Sequence, residues 1–244
     1  MRMNKWVCGA IAAAGLFAAT SALALPLTIG DQVQVGDRAG GAFTPAPGNG
    51  LFSGVTFRLN GGSSTSASAG VFVLDYRHVA PTATATWTEF LSFCLQPNVY
   101  LTSFSNPYTV QAGGREGGLY ADSNGYISEL WALYRGSVVD DTTAAAFQVA
   151  LWELAYGSTD RLLASGDFVL TSSGSVYNTA QLWLDSLTGQ GRRAEGLVVL
   201  VDNPNDAYDR QDLITQVSVP EPATLGLMGL GLLGIGFARR RKPR

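Results

Sequence analysis

An uncharged apolar run near the C-terminus, residues 223–238, limits most strongly what this chain can fold into. At about 1.5 Å per residue, a helix of this length spans roughly 24 Å, slightly less than the ~30 Å hydrocarbon core of a bilayer. Basic residues follow the run at once: Arg239, Arg240, Arg241 and Lys242. Because the run has no polar face, we expect one transmembrane helix over 223–238, with a cytoplasmic basic tail over 239–244.

The N-terminal segment has the pattern of a secretory signal peptide. Arg2 and Lys5 form a positively charged n-region, and an alanine-rich apolar h-region follows. The segment ends in Ala-Leu-Ala. Small residues on both sides of the leucine are typical of a signal-peptidase site. We therefore expect residues 1–24 to be removed by cleavage between Ala24 and Leu25.

Residues 25–218 remain as one domain when both ends are set aside. They contain nine arginines, no lysine and 18 acidic residues, a formal charge of about −9. Phosphate contacts need a basic face, so this composition excludes nucleic acid as a partner. Without lysine, no Lys–Asn isopeptide bond can form inside the domain.

A short motif, Val219-Pro220-Glu221-Pro222, stands directly before the apolar run. The order of motif, apolar segment and basic end resembles the PEP-CTERM sorting signal of exported proteins in Gram-negative bacteria. The resemblance covers residues 219–244 and concerns the destination of the protein. It implies processing near the motif by an exosortase-type membrane protease. It also implies anchoring in the inner membrane before processing, followed by release to the cell surface or the extracellular matrix.

The spacing of apolar residues changes twice along the domain. Alternating residues predict strands over 55–59, 69–79 and 87–95, and an aromatic edge strand over 99–110. Helical spacing predicts helices over 124–135, 144–156 and 175–187. Strands are expected again over 196–201 and 212–219. This order predicts an α+β fold, a β-rich sandwich or barrel-like domain with a helical insert.

The second of these helices has the clearest boundaries. The segment Asp140-Asp141-Thr142-Thr143 precedes it and offers N-cap residues and acids where the helix dipole favours them. Gly157 stands where a C′ glycine ends a helix.

Cys94 is the single cysteine that remains after the signal peptide, with Cys8, has been removed. Exported proteins reach an oxidising compartment, where an unpaired thiol calls for an explanation. The residue is either a small buried apolar side chain or a reactive or chemically capped sulfur.

Two motifs around this cysteine resemble the thioester domains of bacterial surface adhesins. They are Phe93-Cys94-Leu95 and Phe147-Gln148-Val149-Ala150-Leu151-Trp152. The resemblance implies that the Cys94 thiol attacks a glutamine carboxamide, releases ammonia and forms a thioester. It places the acyl partner in a late strand, which favours Gln211 over Gln216. Gln148 would then orient or line the site together with Trp152, and Gln148 as the acyl partner is a further alternative.

Other candidate sites have weaker patterns. Asp75 and His78, with Cys94, suggest a cysteine hydrolase, but their spacing in a strand directs them to opposite faces. The acidic segment 202–206, with Asp209 and Asp212, contains the residue types of a Ca²⁺ loop. A proline at one ligand position favours a solvated turn instead. One histidine and one cysteine are too few for a transition metal, so no metal or cofactor is expected.

These observations predict an exported cell-envelope or extracellular-matrix protein that is not an enzyme. The first hypothesis is adhesion through a Cys–Gln thioester that reacts with surface amines or hydroxyls. The alternative is a non-reactive structural protein associated with exopolysaccharide in a biofilm. A cysteine hydrolase is the second alternative.

Overall fold

The computed structural model describes residues 26–36, 50–79, 87–101, 107–113, 124–157, 160–202 and 210–217. The predicted signal peptide with its cleavage site, the motif at 219–222, the helix over 223–238 and the basic tail lie outside these ranges. Within the ranges, no helix is both long enough and apolar enough to span a membrane.

The described residues form eight strands and three α-helices. In chain order they are β1 (Gln32–Gly36), β2 (Gly50–Leu59), β3 (Thr65–His78), β4 (Thr88–Cys94), β5 (Tyr108–Ala112), α1 (Tyr126–Tyr134), α2 (Asp141–Tyr156), β6 (Phe168–Leu170), α3 (Ser175–Ser186), β7 (Leu197–Val201) and β8 (Leu213–Gln216). A short 3₁₀ helix, Arg135–Ser137, follows α1. The predicted order of strands, helices and strands is therefore present.

Six of these strands close into an antiparallel barrel. The order is β1-β5-β7-β8-β4-β3, and β3 pairs back onto β1. One edge of β3 pairs with β4, whereas its other edge is shared by β2 and β1. Strand β2 continues outward to β6. The prediction of a β-rich, barrel-like domain is confirmed, and closure leaves few open strand edges for pairing with other chains.

Helix α2 packs against β2 and β3 and is buried along most of its length. Asp140 caps it, because its carboxylate accepts a hydrogen bond of 2.8 Å from the Thr143 backbone N–H. Farther along, the Trp152 ring lies 5.7 Å from Phe57 and 6.1 Å from Phe168, measured between centroids. These contacts hold one face of the helix in a fixed register against the sheet.

Three local predictions differ from the structure. Strands β1 and β6, of five and three residues, were not predicted. The aromatic segment 99–110 was predicted as an edge strand, but the described strand there, β5, lies between β1 and β7. Gly157 has φ −73°, so it is not a left-handed C′ glycine. A Cβ at this position would meet the Glu153 backbone carbonyl oxygen as well as the Glu153 carboxyl group, which favours glycine there.

Glu129 of α1 holds the segment that follows α3. Its buried carboxylate accepts hydrogen bonds from Thr188 N (3.0 Å), Thr188 Oγ1 (3.0 Å) and Gly189 N (2.6 Å). A buried donor that loses its acceptor costs about 1–3 kcal/mol. We expect Glu129→Ala to lower the free energy of unfolding by about 2–3 kcal/mol in urea titrations. The exposed Glu195→Ala should change it by less than about 0.5 kcal/mol, and equal effects of the two substitutions would contradict the assignment.

Candidate functional site

The side chains of Cys94 and Gln211 meet in the interior of the domain. The distance from Cys94 Sγ to Gln211 Oε1 is 2.6 Å, and both residues are buried. Cys94 ends β4 and is paired with Leu213 of β8, two residues beyond Gln211. The Leu95 N–H continues this ladder by donating to the Asp212 carbonyl at 2.9 Å. Strand pairing therefore brings together two side chains that are 117 residues apart.

Gln96 holds the other end of the Gln211 carboxamide. Gln211 Nε2 donates to the Gln96 carbonyl at 2.7 Å, and the Gln96 side-chain oxygen accepts the Asp212 N–H at 2.8 Å. Gln96 was not among the residues predicted from the sequence. The one sequence feature that could have indicated Gln96 is its position two residues after Cys94. With the Sγ contact on one side and Gln96 on the other, the carboxamide has a single orientation.

Gln148 binds the backbone of Cys94 with both ends of its side chain. Its Oε1 accepts the Cys94 N–H at 2.9 Å, and its Nε2 donates to the Cys94 carbonyl at 2.6 Å. The completely buried carboxamide thus satisfies the Cys94 N–H and carbonyl groups, which a neighbouring strand would otherwise pair with. The geometry matches an orienting residue, since the carboxamide lies against the backbone of Cys94.

Gln216 has different partners. Its Oε1 accepts the indole N–H of Trp131 at 2.8 Å, and its Nε2 donates to the Glu195 carbonyl at 2.9 Å. Of the three glutamines considered from the sequence, the structure places the Gln211 carboxamide against the sulfur. Gln148 lies behind the Cys94 backbone, and Gln216 lies near α1.

A buried charged network lies behind Gln211. Arg210 forms an ion pair with Asp202, and its guanidinium lies 4.6 Å from the centre of the Tyr108 ring. The Tyr108 hydroxyl donates to the Gln211 carbonyl at 3.3 Å, which links the network to the backbone of the site. Asp212 accepts the Asp202 N–H at 2.8 Å. The network anchors the residues on both sides of Gln211.

These contacts occupy two acidic residues of the segment that was considered as a Ca²⁺ loop and for which a solvated turn was favoured. Asp202 binds Arg210, and Asp212 binds the Asp202 backbone. Asp206 and Asp209 lie outside the described residues. Among the described residues, no group of three His, Cys, Asp or Glu side chains is arranged to hold a metal ion.

A cavity of about 280 Å³ reaches both Cys94 and Gln211. Its walls are mainly apolar and include Phe52, Phe72 and Trp152. Burial raises the pKa of the Cys94 thiol well above its ordinary value, because an apolar environment disfavours the thiolate. The sulfur therefore carries its proton near neutral pH, and this proton points to the Gln211 oxygen.

Of the three residues proposed for a hydrolase, Asp75 and His78 lie on β3 and Cys94 ends β4. His78 Nδ1 is 3.5 Å from the Asp31 carboxylate, and His78 pairs with Val33 of β1. Asp75 is buried and is paired with Glu89 of β4. The Cys94 side chain contacts Gln211.

Comparison with known protein families matches residues 218–242 to the PEP-CTERM protein-sorting motif. The protein is exported. This motif marks a chain that is anchored in the membrane before an exosortase, a membrane protease, processes it. No curated protein matches the chain, and no solved structure matches it. The PEP-CTERM match covers the tail, so the resemblance of the domain to adhesin thioester domains stays a hypothesis.

Proposed function

We propose that this exported domain forms an internal thioester between Cys94 and Gln211, and that the bond attaches the protein covalently to its surroundings. The supporting observation is the buried Sγ–Oε1 contact of 2.6 Å. A thiol held against a single carboxamide in a fixed orientation reacts with a high effective concentration. The function is adhesion at the cell surface or in the extracellular matrix.

The first step requires no co-reactant. The Cys94 sulfur adds to the Gln211 carboxamide carbon, a C–S bond forms and the C–N bond breaks. The thiol proton leaves with the amide nitrogen as ammonia. The apolar cavity limits access of water, so the product is protected from hydrolysis until a ligand enters.

The second step attaches the ligand. An amine or hydroxyl group enters the cavity and adds to the acyl carbon of Gln211. A C–N or C–O bond forms, the C–S bond breaks, and the ligand proton passes to the sulfur. Each domain reacts once in this scheme, so the protein binds covalently without catalytic turnover and is not an enzyme.

One observation favours a non-reactive structural protein as the second candidate. Burial keeps the Cys94 thiol protonated, and a neutral thiol is a weak nucleophile. The bonds of Gln148 and Gln211 then serve as a satisfied polar network that stabilises the barrel. In this case the protein associates with exopolysaccharide without a covalent bond.

The intact mass of the exported protein distinguishes the two candidates. With a thioester, the mass is lower than the sequence mass by one ammonia, and Cys94 does not react with iodoacetamide in the folded protein. Methylamine should then add its own mass and expose one thiol. Cys94→Ala should have its full sequence mass and should not react with methylamine. A wild-type protein with its full sequence mass would refute the proposed thioester, whether or not the buried Cys94 is alkylated.

A further inference from the structure

Trp152 has a hydrogen-bond donor that the described structure does not use. The residue is 2% exposed, and its indole Nε1 has no acceptor among the described residues. Buried polar groups are nearly always paired, so an exception calls for a functional reason. Trp131 shows the usual arrangement, because its Nε1 donates to Gln216.

Packing does not explain the N–H group. The Trp152 ring contacts Phe57 and Phe168, and both neighbours offer apolar ring surfaces. Neither phenylalanine side chain has a hydrogen-bond acceptor, so these ring contacts make no use of the indole N–H. Trp152 also lines the cavity that reaches Cys94 and Gln211. The unused donor therefore belongs to a side chain of the candidate reaction site.

The proposed chemistry creates a need for such a donor. In the resting pair, the Cys94 thiol donates its proton to Gln211 Oε1. When the sulfur adds to the carboxamide carbon, an electron pair moves onto this oxygen and the thiol proton leaves for the nitrogen. The oxygen then loses its donor at the moment when it gains negative charge. The Nε2 donors of Gln148 and Gln211 are bound to backbone carbonyls.

We propose that the indole N–H of Trp152 stabilises this oxyanion, both when the thioester forms and when a ligand opens it. The inference rests on the proposed thioester and assigns a catalytic residue to its chemistry. Donors placed at a developing oxyanion act strongly in an apolar site that excludes water. Among the described residues that line the cavity, the hydroxyl donors are Ser68 and Tyr100, which are exposed and can bind water instead.

The experiment compares Trp152→Phe with wild-type protein, both as the full chain exported from the same host. The fraction of thioester is measured by intact mass, and the rate of opening by methylamine is measured at fixed pH. Loss of one oxyanion donor slows such reactions about 100- to 1000-fold. We expect methylamine opening to slow at least about tenfold, with thermal melting close to wild type.

Matched variants separate hydrogen bonding from packing. Trp131→Phe also removes an indole donor, but near Gln216, and should leave the opening rate unchanged. Ser68→Ala and Tyr100→Phe should likewise have little effect. If Trp152→Phe does not fold, β-(3-benzothienyl)alanine at position 152 keeps the two-ring shape and replaces N–H by sulfur. It should show the same loss of rate.

The outcomes separate the two proposals. Wild-type opening rates in both Trp152 variants, with the thioester present, would overturn the oxyanion assignment and leave the proposed function intact. If Tyr100→Phe or Ser68→Ala slows methylamine opening strongly and the Trp152 variants do not, the oxyanion donor is the hydroxyl group of that residue and not Trp152. A wild-type protein without a thioester would overturn the proposed function and the assignment together.

Discussion

Replacing Gln211 by alanine is expected to abolish the loss of ammonia from the exported protein completely. The substitution removes the carboxamide whose oxygen contacts the Cys94 sulfur, and among the described residues no second carboxamide contacts that sulfur. The intact mass should equal the sequence mass of the variant. Cys94 should become reactive toward iodoacetamide to the extent that the cavity admits the reagent.

Two other glutamines in the chain provide controls for this result. Gln216→Ala should keep the ammonia loss, because Gln216 binds Trp131 and Glu195. Gln148→Ala should reduce the yield of thioester, since the Cys94 backbone would lose both of its side-chain hydrogen bonds. If Gln211→Ala still loses ammonia, the acyl partner is a different glutamine. The variant among Gln148→Ala and Gln216→Ala that lacks the loss would then identify it.

Glu153 is expected to make the protein less stable as the pH rises from acid to mildly alkaline values. Burial, and to a smaller extent the nearby charge of Asp160, together raise the pKa of its carboxyl from 4.5 to about 8. Neither carboxyl oxygen has a hydrogen-bond partner among the described residues. The folded state therefore holds this proton over a pH range in which the unfolded chain has released it.

The sign of the effect follows from this difference in proton binding. Between pH 4.5 and about 8 the folded state binds more protons at this group than the unfolded state. The free energy of unfolding should therefore fall by as much as about 1.4 kcal/mol per pH unit in this window. Above the folded pKa no further loss is expected from Glu153. Urea titrations at several pH values measure this slope.

Glu153→Gln isolates the contribution of this carboxyl from that of all other titrating groups. Glutamine has nearly the same shape and no charge, so the variant should match wild type near pH 4.5 and exceed it in stability at pH 8. The difference between the two curves should grow steadily across the window. Parallel curves would show that the Glu153 carboxyl is not perturbed by folding.

The candidate site could be predicted from the sequence only in part. The aromatic-Cys-aliphatic motif and the Gln-x-Ala-aliphatic-Trp motif pointed to Cys94, Gln148 and Trp152. They did not show which of Gln211 and Gln216 lies next to Cys94, because Gln211 precedes the short strand β8 and Gln216 ends it. The pairing of Cys94 with Leu213 decides it, since this register puts the Gln211 carboxamide beside the sulfur. Gln96 could not be found, because its function depends on a backbone carbonyl that no side-chain pattern encodes.

The sequence by itself determined the export of this protein and the nature of its longer elements. A sorting motif is read as a linear segment, and a helix such as α2 is encoded by local spacing and by a cap at Asp140. Only the tertiary structure decided how β3 returns to β1 to close the barrel and which glutamine meets Cys94. The physical reason is that local periodicity sets the conformation of a segment, whereas the choice of a strand partner depends on pairing between residues far apart in the chain.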